Sequence, residues 1–157
     1  MNASDVVCME EAFRLAKKSF DEGDLPIGSV LAEGTRILGR GHNRRVQLGD
    51  PILHGEMDCL RDAGRRESYR ETTLYTTLSP CMMCAGTIVQ FKIPRVVVGE
   101  NSNCGGNEQF LRDHGDEVIL LDDARCRVLM RSYIEAHPSI WREDIAVVEA
   151  REGARKQ

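Results

Sequence analysis

No run of apolar residues in this chain approaches the ~20 needed to span a bilayer as a helix, although hydrophobic residues make up 41% of the 157 positions. The opening Met1-Asn2-Ala3-Ser4-Asp5 has no basic stretch leading into an apolar one, so no secretory signal is expected. Positive charge is not in excess either. The formal net charge is −4, which argues against a nucleic-acid polymer as substrate, because a phosphate backbone calls for a basic face. There is no internal repeat and no low-complexity linker. Six cysteines in a chain without a leader do not read as a disulfide scaffold. They read as reduced thiols, two of them reserved for a metal, and imply a cytoplasmic setting. What remains is ordinary: 29% charged residues and enough apolar ones for a single domain with a real core. That domain is expected over 1–157, with its core at about 5–145 and a polar, frayed tail from Glu149 to Gln157.

Periodicity supplies the elements. Val6, Met9, Phe13, Ala16 and Phe20 recur at helical spacing behind a Ser4-Asp5 cap, and the helix ends near Gly23. Pro26–Ala32 and Arg36–His42 read as strands around the turn Glu33-Gly34-Thr35, and Asn43–Pro51 as a polar loop. His54–Gly64 reads as a helix stopped by its glycine. The β-branched run 72–77 reads as a strand. Pro80 then opens a helix to about Phe91, as proline suits a first turn. Arg95–Gly99 and Glu117–Leu121 are further strands, and Asp122-Asp123 starts a last helix to Ala136. Strands alternating with helices predict an α/β fold with helices on both sides of the sheet and parallel pairs in its second half.

The chemistry sits in two short motifs, H-G-E at 54–56 and P-C-M-M-C at 80–84. His54, Cys81 and Cys84 offer one imidazole and two thiolates, a ligand set for one zinc per chain. Three protein ligands leave a fourth position open for water, which marks a catalytic rather than a structural zinc. Glu56 is two residues from the first ligand and can face that position without binding the metal. Both segments open helices, where free backbone N–H groups and the helix dipole favour thiolate. A C-x-x-C can also be a redox pair or half of a structural zinc site. Here no second C-x-x-C is present. The joint order, H-x-E on one helix, a strand, then P-C-x-x-C on the next, resembles the signature of the zinc nucleobase deaminases.

A narrower resemblance rests on more of the chain. L-P-I-G (25–28), L-G-R-G-H-N (38–43), L-H-G-E (53–56), T-T-L-Y-T-T-L-S-P-C (72–81), I-P-R-V-V-V-G-E-N (93–101), L-D-D-A-R-C (121–126) and W-R-E-D-I (141–145) together resemble the fungal-type cytosine deaminases of the cytidine deaminase-like superfamily, from about Glu11 to Ile145. That resemblance implies a three-layer α/β/α sandwich around a five-stranded mixed sheet, a homodimer, and hydrolysis of a free pyrimidine base. Cytosine would give uracil and ammonia. It implies that Asn43 and the Gly55 N–H hold the ring, and that Glu56 shuttles protons. Leu78 and Ser79 would line the pocket, Trp141 would close it, and Asp144 would accept from the exocyclic amine. Read alone, Asn43 is a turn residue, Trp141 core and Asp144 a solvated acid or cap.

One position departs from that family. After E-N-S-N (100–103), where those enzymes carry a phenylalanine over the base, this chain has Cys104, followed by Gly105-Gly106. Either the roof is more open or Phe110 or Trp141 fills it, and isocytosine becomes a second candidate. Guanine deaminase, tRNA adenosine deaminase and a non-catalytic zinc-binding protein are the remaining readings; an intact Glu56 speaks against the last. Cys8, Cys59 and Cys126 are expected as small buried residues, and His42, His114 and His137 carry no assigned role. Arg44 and Arg45 are expected on a loop surface or at a subunit contact. Met82, Ile88, Val89 and Phe91 form an apolar stripe that fits a dimer face or core.

Overall fold

A computed structural model describes residues 1–147 of the chain. The elements run α1 (Ala3–Asp21), β1 (Gly28–Glu33), β2 (Arg36–His42), α2 (Arg45–Leu48), α3 (Gly55–Ala63), β3 (Thr73–Leu78), α4 (Met82–Phe91), β4 (Arg95–Glu100), α5 (Glu108–Asp113), β5 (Glu117–Leu120), α6 (Ala124–Ala136) and α7 (Pro138–Asp144). The sheet order is β2-β1-β3-β4-β5. β1 pairs antiparallel with β2 and with β3, while β3–β4 and β4–β5 are parallel. The expected mixed five-stranded sheet is therefore present.

Strand alternation sorts the core into two faces. Leu31, Leu74, Val96 and Val98 pack with Cys59 of α3, Ala85 and Ile88 of α4, and Leu111 of α5. Val30, Ala32, Tyr75 and Val97 pack on the other face with Cys8, Met9, Ala12 and Leu15 of α1. A third cluster, Leu25, Ile27, Leu78, Met130, Tyr133 and Trp141, joins α6 and α7 to the sheet where β3 ends. β2 lies so close to α3 that a Cβ on Gly41 would overlap the Cys59 backbone nitrogen. This close approach fixes the helix that begins at the H-G-E motif.

Three expectations are corrected. The cap of α1 is Asn2, whose side chain accepts from the Asp5 N–H, while Asp5 reaches back to the Asn2 N–H. The buried face of α1 is Cys8, Met9, Ala12, Leu15, Ala16 and Ser19 with Asp5. Of the expected stripe, Met9 and Ala16 lie on this face and Phe13 and Phe20 are half-buried, while Val6 is exposed. The polar loop 43–51 contains α2, whose first turn is capped by the fully buried Asp24: its Oδ2 accepts from the Val46 and Gln47 N–H groups, both at 3.0 Å. α5 and α7 have no counterpart among the expected elements. Asp123 does cap its helix, accepting from the Arg125 N–H. No helix among the described residues is long and apolar enough to cross a membrane. The expected frayed tail, 149–157, lies outside the described residues.

Candidate active site

The two motifs meet because β3 runs between their helices. His54 is the N-cap of α3 and Cys81 the N-cap of α4. One ligand atom from each of His54, Cys81 and Cys84 lies within 4.8 Å of the others. His54 Nδ1 is 3.5 Å from Cys81 Sγ and 3.8 Å from Cys84 Sγ. Its other ring nitrogen, Nε2, is 3.3 Å from Asp144 Oδ1. A ligating imidazole whose second nitrogen faces a carboxylate is the usual way a protein fixes the ring's orientation. Two sulfurs and one imidazole nitrogen suit zinc, and three ligands leave a position open.

The thiol pair is unequal. Hydrogen bonding to Cys84 outweighs burial and, with His54 beside it, lowers the Cys81 thiol to about 4. The same contact with Cys81, together with burial, pushes Cys84 well above the usual thiol range. At His54 burial opposes charge, but hydrogen bonds to Asp144 and Cys81 prevail and raise the imidazole to about 10. Metal ligation needs both sulfurs as thiolates and the imidazole neutral, so loading is coupled to proton release.

Glu56 is 4% exposed. Its Oε1 accepts from Thr76 Oγ1 at 3.1 Å and its Oε2 from Cys84 Sγ at 3.4 Å. Burial pushes its carboxyl above the ordinary glutamate range, which strengthens it as a proton acceptor.

These groups open on a cavity of about 300 Å³, at the small end of the ~300–1,000 Å³ typical of ligand pockets. His54, Glu56, Leu78, Ser79, Cys81, Cys104, Trp141 and Asp144 all line it, so most of the expected site converges. Trp141 and Asp144 come from α7, which forms part of the cavity wall. Phe110 instead lies against His114, ring centroids 4.4 Å apart, and is not among the lining residues. A larger depression of about 540 Å³, lined in part by Arg65, Arg66, Arg70 and Lys92, includes none of the metal-ligand residues.

Asn43 and Gly55 are not among the lining residues either. Asn43 is fully buried beside Ile27, a lining residue, with its N–H donating to the Ile27 carbonyl at 2.9 Å. Its Oδ1 accepts from the Arg45 N–H at 3.0 Å, whereas its Nδ2 has no protein partner. A buried, unpartnered amide donor is costly unless something completes it. Gly55 also abuts Ile27, whose carbonyl would lie 3.0 Å from a Cβ added there.

Residues 3–100 match the family of the cytidine and deoxycytidylate deaminase zinc-binding region. The chain belongs to this deaminase family. It is 46% identical over 148 residues to the cytosine deaminase of Candida albicans, spanning 92% of this chain and 99% of that one. A tRNA-specific adenosine deaminase of Streptococcus pyogenes is 38% identical over 115 residues, covering 71% of this chain and 72% of the relative. Among solved structures, one from a study of A-to-I editing by tRNA:A34 deaminases at the wobble position superposes with a TM-score of 0.67 at 29% identity, covering 75% of this chain and 99% of that one. The deaminase is thus a zinc-dependent hydrolytic enzyme with a cytidine deaminase-like fold.

The sequence reading missed three neighbours of this deaminase site. Glu108, 8% exposed, accepts from Ser79 Oγ at 2.8 Å and from the Gly106 N–H at 2.9 Å, holding the loop that carries Cys104. Asn107 Nδ2 donates to the Pro80 carbonyl at 3.0 Å and also lines the cavity. Arg45, expected at the surface or at a subunit contact, has a side chain only 10% exposed, which corrects the surface placement. It lies 2.9 Å from Glu143 and 3.0 Å from Asp144. An adjacent Arg44-Arg45 pair in a polar stretch carried no signal for this. Arg44 does remain near the surface, paired with Asp58 at 3.0 Å.

Proposed function

We propose that this deaminase hydrolyses free cytosine to uracil and ammonia. The observation that carries the reading is the convergence of His54, Cys81, the buried Glu56 and the Asp144 carboxylate on one small cavity, with Cys84 within 4.8 Å of the other two ligand atoms. The near full-length similarity to a cytosine deaminase supports the same base. Zinc, once held by His54, Cys81 and Cys84, supplies a water ionised near neutral pH. Glu56 would take one proton from the attacking water and give it to ring N3. It would then take the second from the hydroxyl now on the ring carbon and give it to the amine, which leaves as ammonia while the ring carbonyl forms. The raised Glu56 pKa favours the uptake of each proton. Asp144 Oδ1, 3.3 Å from His54 Nε2 and 3.0 Å from Arg45 Nε, would also accept from the exocyclic amine. Asn43 Nδ2 and the Gly55 N–H donate to the ring oxygen. Leu78 and Ser79 bound the ring, and Trp141 closes over it. With Trp141 closed over the base, a nucleoside is expected to be a poorer substrate.

Isocytosine is the second reading. Cys104, partly exposed in the cavity wall, puts a small thiol where a ring would restrict the pose. Isocytosine too has an amine beside N3 and a carbonyl across the ring, so a flipped pose uses the same contacts. Initial rates on both bases, before and after Cys104→Phe, test this: the cytosine-to-isocytosine ratio is expected to change, and an unchanged ratio removes Cys104 from the choice. We further propose a homodimer, supported by Met82 and Phe91 of α4, which are 56% and 45% exposed; Ile88 of the same stripe is core. The free thiols of all six cysteines support a reducing, cytoplasmic setting.

A further inference from the structure

We infer that Arg45 is a positioning residue that latches α7 closed over the cavity and holds Asp144 against His54; the inference rests on the cytosine reading for its kinetic arm only. The guanidinium comes from the first residue of α2, at one rim of the site. That residue is held on both sides. Its own N–H donates to Asn43 Oδ1 at 3.0 Å. The next two N–H groups, of Val46 and Gln47, end on the buried Asp24 carboxylate. A one-turn helix has little stability alone, so these bonds are what give Arg45 a fixed origin.

From that origin the side chain spans to the last turn of α7. Nη1 donates to Glu143 Oε1 at 2.9 Å, and Nε lies 3.0 Å from Asp144 Oδ1. The two ends differ in setting. Glu143 is 70% exposed, so its pair is screened by water, whereas Asp144 is 6% exposed and its pair is not. Asp144 is in turn the carboxylate that faces His54 Nε2. One buried cation thus ties the lid, the residue proposed to accept the substrate amine, and the orientation of a metal-ligand ring. The apolar attachment of α7 is Trp141, seated among Leu25, Ile27, Leu78, Met130 and Tyr133. Without the arginine, α7 keeps that anchor but loses the charge that faces Asp144, and the helix should open more often.

The chain has a single tryptophan, and it sits on this lid. Acrylamide quenching of Trp141 fluorescence therefore reads lid opening without reference to any substrate. In zinc-loaded Arg45→Gln the quenching constant should rise at least ~2-fold, since opening exposes a ring now almost buried. Loss of one partner of a buried charge pair should raise the KM for cytosine at least ~10-fold, with kcat changed by less than ~3-fold. Zinc content should stay at one per chain. Arg45→Lys keeps the charge but not the planar fork that reaches two carboxylates, so it should fall between wild type and Arg45→Gln on both readouts. Wild-type quenching and KM in Arg45→Gln overturn the latch, as does a fall in kcat with KM and quenching unchanged. If Arg45→Gln does not fold, wild-type quenching and KM in Arg45→Lys overturn it instead. Failure of the wild-type enzyme to deaminate cytosine would sink the substrate reading while leaving the quenching comparison intact.

Discussion

Glu56 and Cys81 sit within one cavity, yet their substitutions should fail in different ways. Glu56→Gln removes the proposed proton carrier but none of the proposed metal ligands, so zinc should remain at one per chain while kcat drops by at least ~10²–10⁴-fold, the range for a lost acid–base group. Rate assays beside metal analysis check this, and near-normal turnover or loss of zinc contradicts it. Cys81→Ser replaces a thiolate held ready by its Cys84 hydrogen bond and by His54. Zinc content should fall well below one per chain, and unchanged content would remove Cys81 from the ligand set. These residues were legible because each motif is local: H-x-E and P-C-x-x-C each fit within one helical start. Arg45, Glu108 and Asn107 were not. Their roles depend on partners in other elements, Asp144 and Glu143 for Arg45 and Ser79 for Glu108, and nothing in the local pattern marks an arginine or glutamate that will be buried.

The elements that hold the ligands are tied together by charges as well as by core. Asp5 of α1 is fully buried and accepts from Arg95 of β4 at 2.7 and 3.0 Å and from the Tyr75 hydroxyl of β3 at 3.1 Å. Hydrogen bonding to Arg95 outweighs burial and lowers its carboxyl from 3.8 to about 2. A depressed carboxyl stabilises the fold fully above its unfolded value, and that contribution is lost as pH falls through the folded one. Asp5→Asn should therefore cost about 2 kcal/mol at pH 7, with most of the difference gone by pH 2. Urea unfolding at both pH values checks it, and an equal penalty at both would contradict the charge pair. Strands and long helices were readable from periodicity, with bounds off by a residue or two. α2, α5 and α7, at four, six and seven residues, are too short to show a helical period. They are set by tertiary contacts: Asp24 caps one, Leu111 of the next is buried in the sheet's core, and Trp141 seats the last. The tail motif W-R-E-D pointed to the pocket but not to a helix.

At the scale of the whole molecule, a mixed sheet converts two distant motifs into one site. β3 leaves its antiparallel pairing with β1 on one side and its parallel pairing with β4 on the other, and delivers Leu78, Ser79 and Cys81 to the same end as His54. The α/β class and the parallel half followed from alternating strands and helices. The strand order did not follow from that alternation, because it depends on which strands meet across the sheet. Exposed Met82 and Phe91 leave an apolar face on α4. Light scattering at micromolar concentration should report a dimer, and a monomer there would reassign that face. The most direct measurement of the central claim is ammonia release by the zinc-loaded enzyme from cytosine, isocytosine, cytidine, adenine and guanine, compared as initial rates. The account predicts release from the free pyrimidine bases, fastest from cytosine, with cytidine and both purines far behind; release faster from cytidine, adenine or guanine than from either pyrimidine base, or from none of the five, would contradict it.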